Sequence, residues 1–150
     1  MDSKWVAIIA SSIFSLAAFS FSLYSFKKSR GVTLYQDIDR LYLEVLKMRI
    51  EHPEFADPQK TRDFTKSYQG NDRIKYEAYA FIVWNICETI ADRENEGRLF
   101  ETWEPVLRAE ADLHRAWFDK KENQGKFKPK FRKFINDRYP RSRVSENSLS

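Results

Sequence analysis

A run of 22 residues without a charged side chain, from Trp5 to Phe26, is the feature that most constrains this chain. As an α-helix it would rise about 1.5 Å per residue and cover the roughly 30 Å of a bilayer's hydrocarbon core. Aromatic rings favour the headgroup region, and Trp5 and Tyr24 lie near the two ends of the run. We therefore predict a single transmembrane helix within residues 1–30, the basic residues that follow the run included.

The charges that flank this run predict its orientation. Lys27, Lys28 and Arg30 follow it, whereas Lys4 precedes it together with the compensating Asp2. Because positive residues favour the cytoplasmic side, we expect the N-terminus outside and the remaining chain in the cytoplasm, at a bacterial inner membrane. A cleaved signal peptide is the alternative. The long run, the positive charge after it and the lack of an Ala-x-Ala site disfavour that alternative.

Small and hydroxyl-bearing residues line one face of the predicted helix. At about 100° per residue, positions that alternate by threes and fours share one stripe, and bulky side chains fill the rest. Three interpretations are open: serines bonded to their own helix, close packing between copies, or a wet pore lined by serines. The last two require an oligomer, which we expect. The stripe consists of Ala7, Ser11, Ser15, Ala18, Ser22 and Ser25, whereas Ser12 and Ser20 fall elsewhere.

The rest of the chain has helical spacing and no strand alternation. We predict an all-α fold, with the transmembrane helix followed by a cytoplasmic bundle of about four helices over 31–140 and a disordered tail over 141–150. The single Cys87 can form no internal disulfide, which suits a reducing cytoplasm. The four predicted helices lie within 34–48, 76–93, 102–118 and 126–140. We expect Asn71 or Asp72 to cap the second and Thr102 to cap the third. In the last helix we expect Phe127, Phe131, Phe134 and Ile135 to face inward.

Three polar residues interrupt the most apolar soluble segment, "YEAYAFIVWNICETIADR" at 76–93. A carboxylate that faces a core must find partners there. We therefore predict that Asn85, Glu88 and Asp92 are buried, either in a structural ion pair or cap or in a polar site between helices. The candidate donors are Arg73, Arg108 and Arg115.

One pair of residues suggests catalysis. In "RAEADLH", five residues separate Arg108 from His114. A helical domain with this spacing resembles the HEPN ribonucleases. The resemblance implies that Arg108 stabilises phosphate charge and His114 moves protons at a dimer interface. The structural alternative places Arg108 in an i,i+4 ladder with Glu104 and Asp112, and His114 at the edge of the core.

Other chemistry has little support in the sequence. No Cys/His or carboxylate set has metal-ligand spacing, and no Gly-rich phosphate loop or nucleophile elbow is present. We therefore predict neither a metal ion nor a cofactor.

The formal charge is unevenly distributed along the chain. Residues 1–30 carry +3 and residues 120–150 carry +7, whereas 31–119 carry −6. The basic C-terminal region is interpreted as a solvated face, a contact with anionic lipid or, more weakly, an RNA-binding segment. The candidate phosphate or lipid contacts are Lys27, Lys28, Arg30, Lys128, Lys130, Arg132 and Lys133.

The architecture also resembles, more loosely, the HEPN-like membrane accessory proteins of type VI CRISPR loci. The segments "YEAYAFIVWNICETIADR" and "TWEPVL" resemble those of a family of small single-pass bacterial membrane proteins with a helical cytoplasmic domain. These resemblances imply ring assembly, antiviral defence and another defence protein as partner. We expect a non-enzymatic, self-associating membrane protein, a scaffold or pore-forming effector that contacts lipid. The alternative is a membrane-tethered ribonuclease that uses Arg108 and His114.

Overall fold

The structure is a computed structural model that describes residues 35–140 together with Ser22 and Ser25. The predicted transmembrane segment lies almost entirely outside the described residues, as does the predicted tail over 141–150. Among the described residues, no helix is long and apolar enough to cross a membrane. The candidate residues outside the description are Ala7, Ser11, Ser15, Ala18, Lys27, Lys28 and Arg30.

The chain divides into two compact units, Met1–Asp37 and Ile38–Ser150. In the first unit, Ser22 and Ser25 are helical and exposed. In the second unit, the described residues form helices, turns and short irregular connections without any strand, which confirms the all-α prediction.

The described residues form about eight α-helices and two short 3-10 helices. The expected number of about four is therefore wrong, because the backbone leaves the helical region at Asp57, Asp63, His114 and Lys120, and each of these breaks is followed by a helix of four or five residues. The α-helices are α1 (35–51), α2 (Pro58–Arg62), α3 (Phe64–Ser67), α4 (Gly70–Ala91), α5 (Arg98–Leu113), α6 (Arg115–Phe118), α7 (Lys121–Gln124) and α8 (Pro129–Arg138); the 3-10 helices are Pro53–Ala56 and Glu94–Glu96.

Local sequence explains where several helices begin. Asp57 caps α2 by accepting hydrogen bonds from the backbone N–H groups of Gln59 and Lys60 at 2.8 and 3.3 Å, and Pro58 follows in the first turn. Gly70 starts α4 with a φ of +51°, a left-handed conformation that favours glycine. The central helix therefore begins at Gly70, just before the predicted caps Asn71 and Asp72.

The predicted helix at 102–118 is divided in the structure. α5 already begins at Arg98, and the Thr102 hydroxyl donates to the Arg98 carbonyl instead of capping the helix. The helix ends at His114, whose φ of −108° and ψ of 17° leave the helical region, and α6 follows in a new direction. This corner lies in the middle of the core, because His114 is fully buried.

Aromatic side chains fill the core where α4 meets α6 and α8. The Trp84 ring stacks on Phe118 with centroids 4.1 Å apart, and Phe118 contacts Phe127 and Phe131 at 5.5 and 5.9 Å. The Trp84 indole N–H donates to the carbonyl of His114 at 3.2 Å. The inward-facing residues predicted for the last helix are confirmed as buried at Phe127, Phe131 and Ile135, and Phe134 is half-buried.

The prediction that Asn85, Glu88 and Asp92 are buried is wrong. Asn85 and Asp92 are exposed and Glu88 is half-buried, because α4 is apolar around most of its circumference and its pattern does not reveal which face turns outward. The Asn85 amide donates to the Phe81 carbonyl at 2.8 Å. The partner of both carboxylates is Lys128, whose backbone N–H donates to Glu88 at 2.9 Å and whose ammonium lies 2.6 Å from Asp92.

Replacement of Trp84 tests this core. We expect Trp84→Ala to lower the free energy of unfolding by about 3 to 5 kcal/mol, because it leaves a cavity against Phe118 and frees the His114 carbonyl. Ile50, which is 79% exposed, provides the control, and Ile50→Ala should change this energy by less than about 0.5 kcal/mol. Chemical denaturation of the full chain measures both. Equal effects of the two substitutions would contradict the assignment.

Candidate functional site

A group of polar side chains meets where α1, α4 and α5 pack together. Tyr42 and Arg49 are seven residues apart on one face of α1, and Glu110 and His114 are four residues apart at the end of α5. The group is called the buried polar cluster below. Its members are Tyr42, Arg49, Tyr76, Tyr79, Glu110 and His114.

The pair of Arg49 and Glu110 is the centre of the cluster. Nη2 of Arg49 donates to both carboxylate oxygens of Glu110, at 2.8 and 2.7 Å, and Nε donates to the Tyr79 hydroxyl at 3.0 Å. The Tyr42 hydroxyl donates to Oε1 of Glu110 at 2.9 Å. The Glu110 side chain is only 4% exposed and that of Arg49 23%, so the ion pair is largely removed from water. The contacts join three helices, because Arg49 on α1 bonds both Glu110 on α5 and Tyr79 on α4.

His114 occupies the other end of the cluster. Its Nδ1 lies 3.1 Å from the Tyr76 hydroxyl, and its Nε2 lies 3.5 Å from Oε2 of Glu110, at the outer limit of a hydrogen bond. The Tyr79 ring meets the imidazole edge to face, with centroids 5.4 Å apart. The imidazole is fully buried, and its surroundings are aromatic rings and one carboxylate.

Burial and charge act in opposite directions on these two groups. Burial raises the pKa of the Glu110 carboxyl, but the adjacent His114 ring and the Arg49 guanidinium outweigh it and hold the pKa below its ordinary value. Burial lowers the pKa of His114, and this effect exceeds the opposite influence of Glu110. The folded state therefore favours an ionised carboxylate beside a neutral imidazole.

The cluster has no room for a substrate. Both ends of the Glu110–His114 contact are buried, and the gap beside Glu110, between Tyr42 and Val106, is too small to hold a water molecule. Each oxygen of Glu110 already accepts a hydrogen bond from Arg49. The arrangement holds helices together, and proton transfer to an external molecule would need the core to open.

Arg108 and His114 do not share a surface in the structure. The Arg108 side chain is 63% exposed and donates to Glu104 at 2.8 Å, which is the predicted i,i+4 pair. Its guanidinium lies over the Tyr139 ring, 5.8 Å from the centroid. His114 is buried in the polar cluster, whereas Arg108 is exposed to solvent. The two residues of the predicted Arg–His pair therefore have separate partners.

The described residues contain no group of three or more His, Cys, Asp or Glu side chains placed to hold a metal ion. Cys87 lies in the core, where burial raises the pKa of its thiol well above the ordinary value. A thiol of this kind stays protonated at neutral pH and reacts slowly.

Two of the four predicted phosphate or lipid contacts in the described region are paired with acidic side chains. Lys128 pairs with Asp92, and Lys133 pairs with Asp137 on α8. Lys130 is exposed and Arg132 half-buried. A role in lipid or phosphate binding stays a prediction for all four basic residues.

A cleft of about 400 Å³ lies between α8 and the end of α4. Its apolar lining comes from Ala91, Phe131 and Phe134. Three acidic and three basic side chains also line it, and Arg138 is paired with Glu94 at 2.9 Å. The balanced charges do not favour an anion over a cation.

Sequence reasoning missed the ion pair at the centre of the cluster. Arg49 lies on α1, an amphipathic helix whose inward side buries Ile38 and Val45. Glu110 lies beside Leu107 and Ala111 on the inward side of α5. The sequence signal for this pair was a charged residue on the inward side of each of the two helices. Arg49 and Glu110 are 61 positions apart in the sequence, and this separation hides their pairing.

Comparison with known proteins adds no relative from which a role can be transferred. No protein family, no characterised protein and no solved structure matches this chain significantly. The resemblances to HEPN ribonucleases, to CRISPR-associated membrane proteins and to small single-pass bacterial proteins stay predictions. The function is therefore inferred from the sequence and the geometry of this chain.

Removal of the buried carboxylate should destabilise the fold strongly. Glu110→Gln leaves the Arg49 guanidinium without its counter-ion, and we expect a loss of about 3 to 5 kcal/mol in the free energy of unfolding. Glu44→Gln is the matched control, because Glu44 pairs with Lys47 at 2.7 Å and both side chains are more than half exposed, where such pairs contribute about 1 kcal/mol or less. A loss from Glu110→Gln no larger than that of the control would contradict the central role of the pair.

The cluster should also make stability depend on pH. Because the pKa of His114 is lower in the folded state, the unfolded chain binds more protons, and stability falls as the pH drops below the ordinary histidine value of 6.5. Glu110 adds a second loss below its ordinary value of 4.5, because its folded pKa is also lowered. One proton changes the free energy of unfolding by at most about 1.4 kcal/mol per pH unit.

Denaturation of the full chain between pH 7.5 and 5 measures the histidine contribution. We expect His114→Gln to flatten the pH dependence in this window. His52→Gln removes the other imidazole and shows whether loss of any histidine has the same effect. An unchanged slope in His114→Gln would contradict the assignment.

Proposed function

We propose that this chain is a non-enzymatic, membrane-anchored helical protein that acts by self-association, as a scaffold or pore-forming effector. The observation that carries the proposal is a group of apolar side chains on α4 that are exposed to solvent, on a face that also carries Asn71, Lys75 and Asn85. Ile74, Phe81 and Ile82 on this face are 67, 38 and 38% exposed. Contiguous exposed apolar side chains are typical of interaction surfaces.

The composition of α4 supports this interpretation. A helix that is apolar on all sides is usually covered on all sides. The inner part of α4 packs against α5, α6 and α8, whereas the outward part has no covering element among the described residues. α1 adds further exposed apolar side chains at Leu41, Leu43 and Ile50.

The anchor part of the proposal comes from the sequence. The uncharged run from Trp5 to Phe26 has the length of a transmembrane helix, and the basic residues after it favour a cytoplasmic helical unit. Its stripe of small residues fits contact between copies or a pore lining. An anchored chain would contact membrane lipid because of where it lies. A second defence protein as partner is implied only by the resemblance to CRISPR-associated proteins.

The ribonuclease hypothesis receives less support from the geometry. It requires Arg108 and His114 to reach the same phosphodiester. Arg108 is outside and paired with Glu104, and His114 is enclosed among Tyr76, Tyr79 and Glu110. A buried imidazole that contacts a carboxylate and tyrosines has a sufficient structural role in the core.

Energy transfer between copies in liposomes tests the proposed function. The full chain receives an added cysteine after Ser150 and carries donor or acceptor dye, while buried Cys87 stays unlabelled. We expect transfer that persists as the lipid-to-protein ratio rises and that unlabelled chain competes away. The variant with Ser15→Leu and Ser22→Leu should lose most of this transfer.

The matched control uses the two serines outside the stripe. The variant with Ser12→Leu and Ser20→Leu has the same gain in apolar volume in the same segment and should keep wild-type transfer. Transfer that disappears on dilution in lipid, as for independent molecules, would refute self-association. Equal loss in both variants would refute the role of the stripe.

A further inference from the structure

The outward face of α4 has a small residue at its centre and larger side chains around it. At about 100° per residue, Ala78 marks the middle, with Ile74 and Phe81 on one flank and Lys75 and Ile82 on the other. All five residues are exposed. They are called the α4 outward face below. A small central residue allows a second helix to approach closely, and the flanking side chains then pack beside it.

We propose that this face binds the same face of a second copy, with the two α4 helices antiparallel and crossing at Ala78. This inference rests on the proposed self-association and gives it a defined contact. A two-fold axis at the crossing point places Ile74 against Phe81 of the second copy, and symmetry repeats the contact. On the other flank, the aliphatic stem of Lys75 covers Ile82 of the second copy.

Two charges select the antiparallel arrangement. The ammonium of Lys126 lies 5.5 Å from the Phe81 ring centroid and 5.1 Å from that of Trp117, so it borders the Phe81 flank of α4. Glu77 lies on this flank one turn before Phe81. The two-fold axis brings Lys126 of each copy toward Glu77 of the other, which gives two reciprocal ion pairs. Parallel helices would instead place Lys126 across from the opposite flank.

Glu77 has capacity for this contact. Its Oε1 accepts a hydrogen bond from Arg73 at 2.9 Å, and its Oε2 has no partner among the described residues. Its side chain is 40% exposed. A carboxylate can accept from two donors at once, so the Arg73 pair and the contact with the second copy are compatible.

Tethering explains why one helix face is sufficient. A contact of this size is small for a stable complex in dilute solution. Two copies anchored in one membrane have a high effective concentration, which converts a weak contact into a populated one. The same anchoring makes a second copy the nearest available occupant of the face.

Cysteine cross-linking of the full chain in liposomes tests the arrangement. A short thiol-reactive linker should join two copies of Ala78→Cys about tenfold faster than two copies of Asp112→Cys, an exposed position on α5 away from the face. When copies of different size carry Ile74→Cys and Phe81→Cys, the mixed product should exceed either homodimer. Equal rates for Ala78→Cys and Asp112→Cys, or a dominant Ile74–Ile74 product, would overturn the arrangement.

Charge exchange tests the orientation. Within the Ala78→Cys background, Glu77→Lys or Lys126→Glu alone should slow cross-linking severalfold, because each places like charges together. The variant with both substitutions exchanges the charges and should restore the rate. Failure of the double variant to recover would overturn the reciprocal ion pairs.

The two proposals fail in different ways. If energy transfer between copies persists but Ala78→Cys does not cross-link faster than the control, this contact is refuted and self-association stands. If energy transfer is absent, both proposals fail. Cross-linking of Ala78→Cys to another protein, or its protection by lipid without a dimer, would also overturn the contact, since the face would then have another occupant.

Discussion

The ion pair between Arg49 and Glu110 is the contact on which the rest of the helical unit depends. It joins α1 to α5, and the Tyr79 hydroxyl brings α4 into the same network. A charge removed from water is tolerated only with a partner at hydrogen-bonding distance, so the helices must keep one register to keep the pair. We infer that the cluster specifies the arrangement of these helices more than it adds to their net stability.

The break between α5 and α6 at His114 connects the buried polar cluster to the aromatic part of the core. Its side chain belongs to the buried polar cluster, and its carbonyl accepts the Trp84 indole N–H. The helices after the corner then place Phe118 and Phe131 against Trp84. A residue that suggested catalysis from its spacing is thus a link between the polar and aromatic parts of the core.

The sequence predicted what local spacing determines. The all-α class and the inward side of α8 followed from helical periodicity, because Phe131 and Ile135 recur on one side. The predicted burial of Asn85 failed because α4 is apolar nearly all round, and only packing decides which face is covered. The Arg49–Glu110 pair is a contact between distant segments, which no local pattern contains.

The apolar N-terminal run and the exposed apolar side chains of α4 are the two features that favour contact between copies. We propose that the chain works as an assembly of copies. The mass of the full-length particle in lipid nanodiscs, measured by native mass spectrometry over a range of protein concentrations, tests this claim most directly. We expect a protein mass that equals a fixed number of chains, two or more. A single chain per particle at every concentration would contradict it.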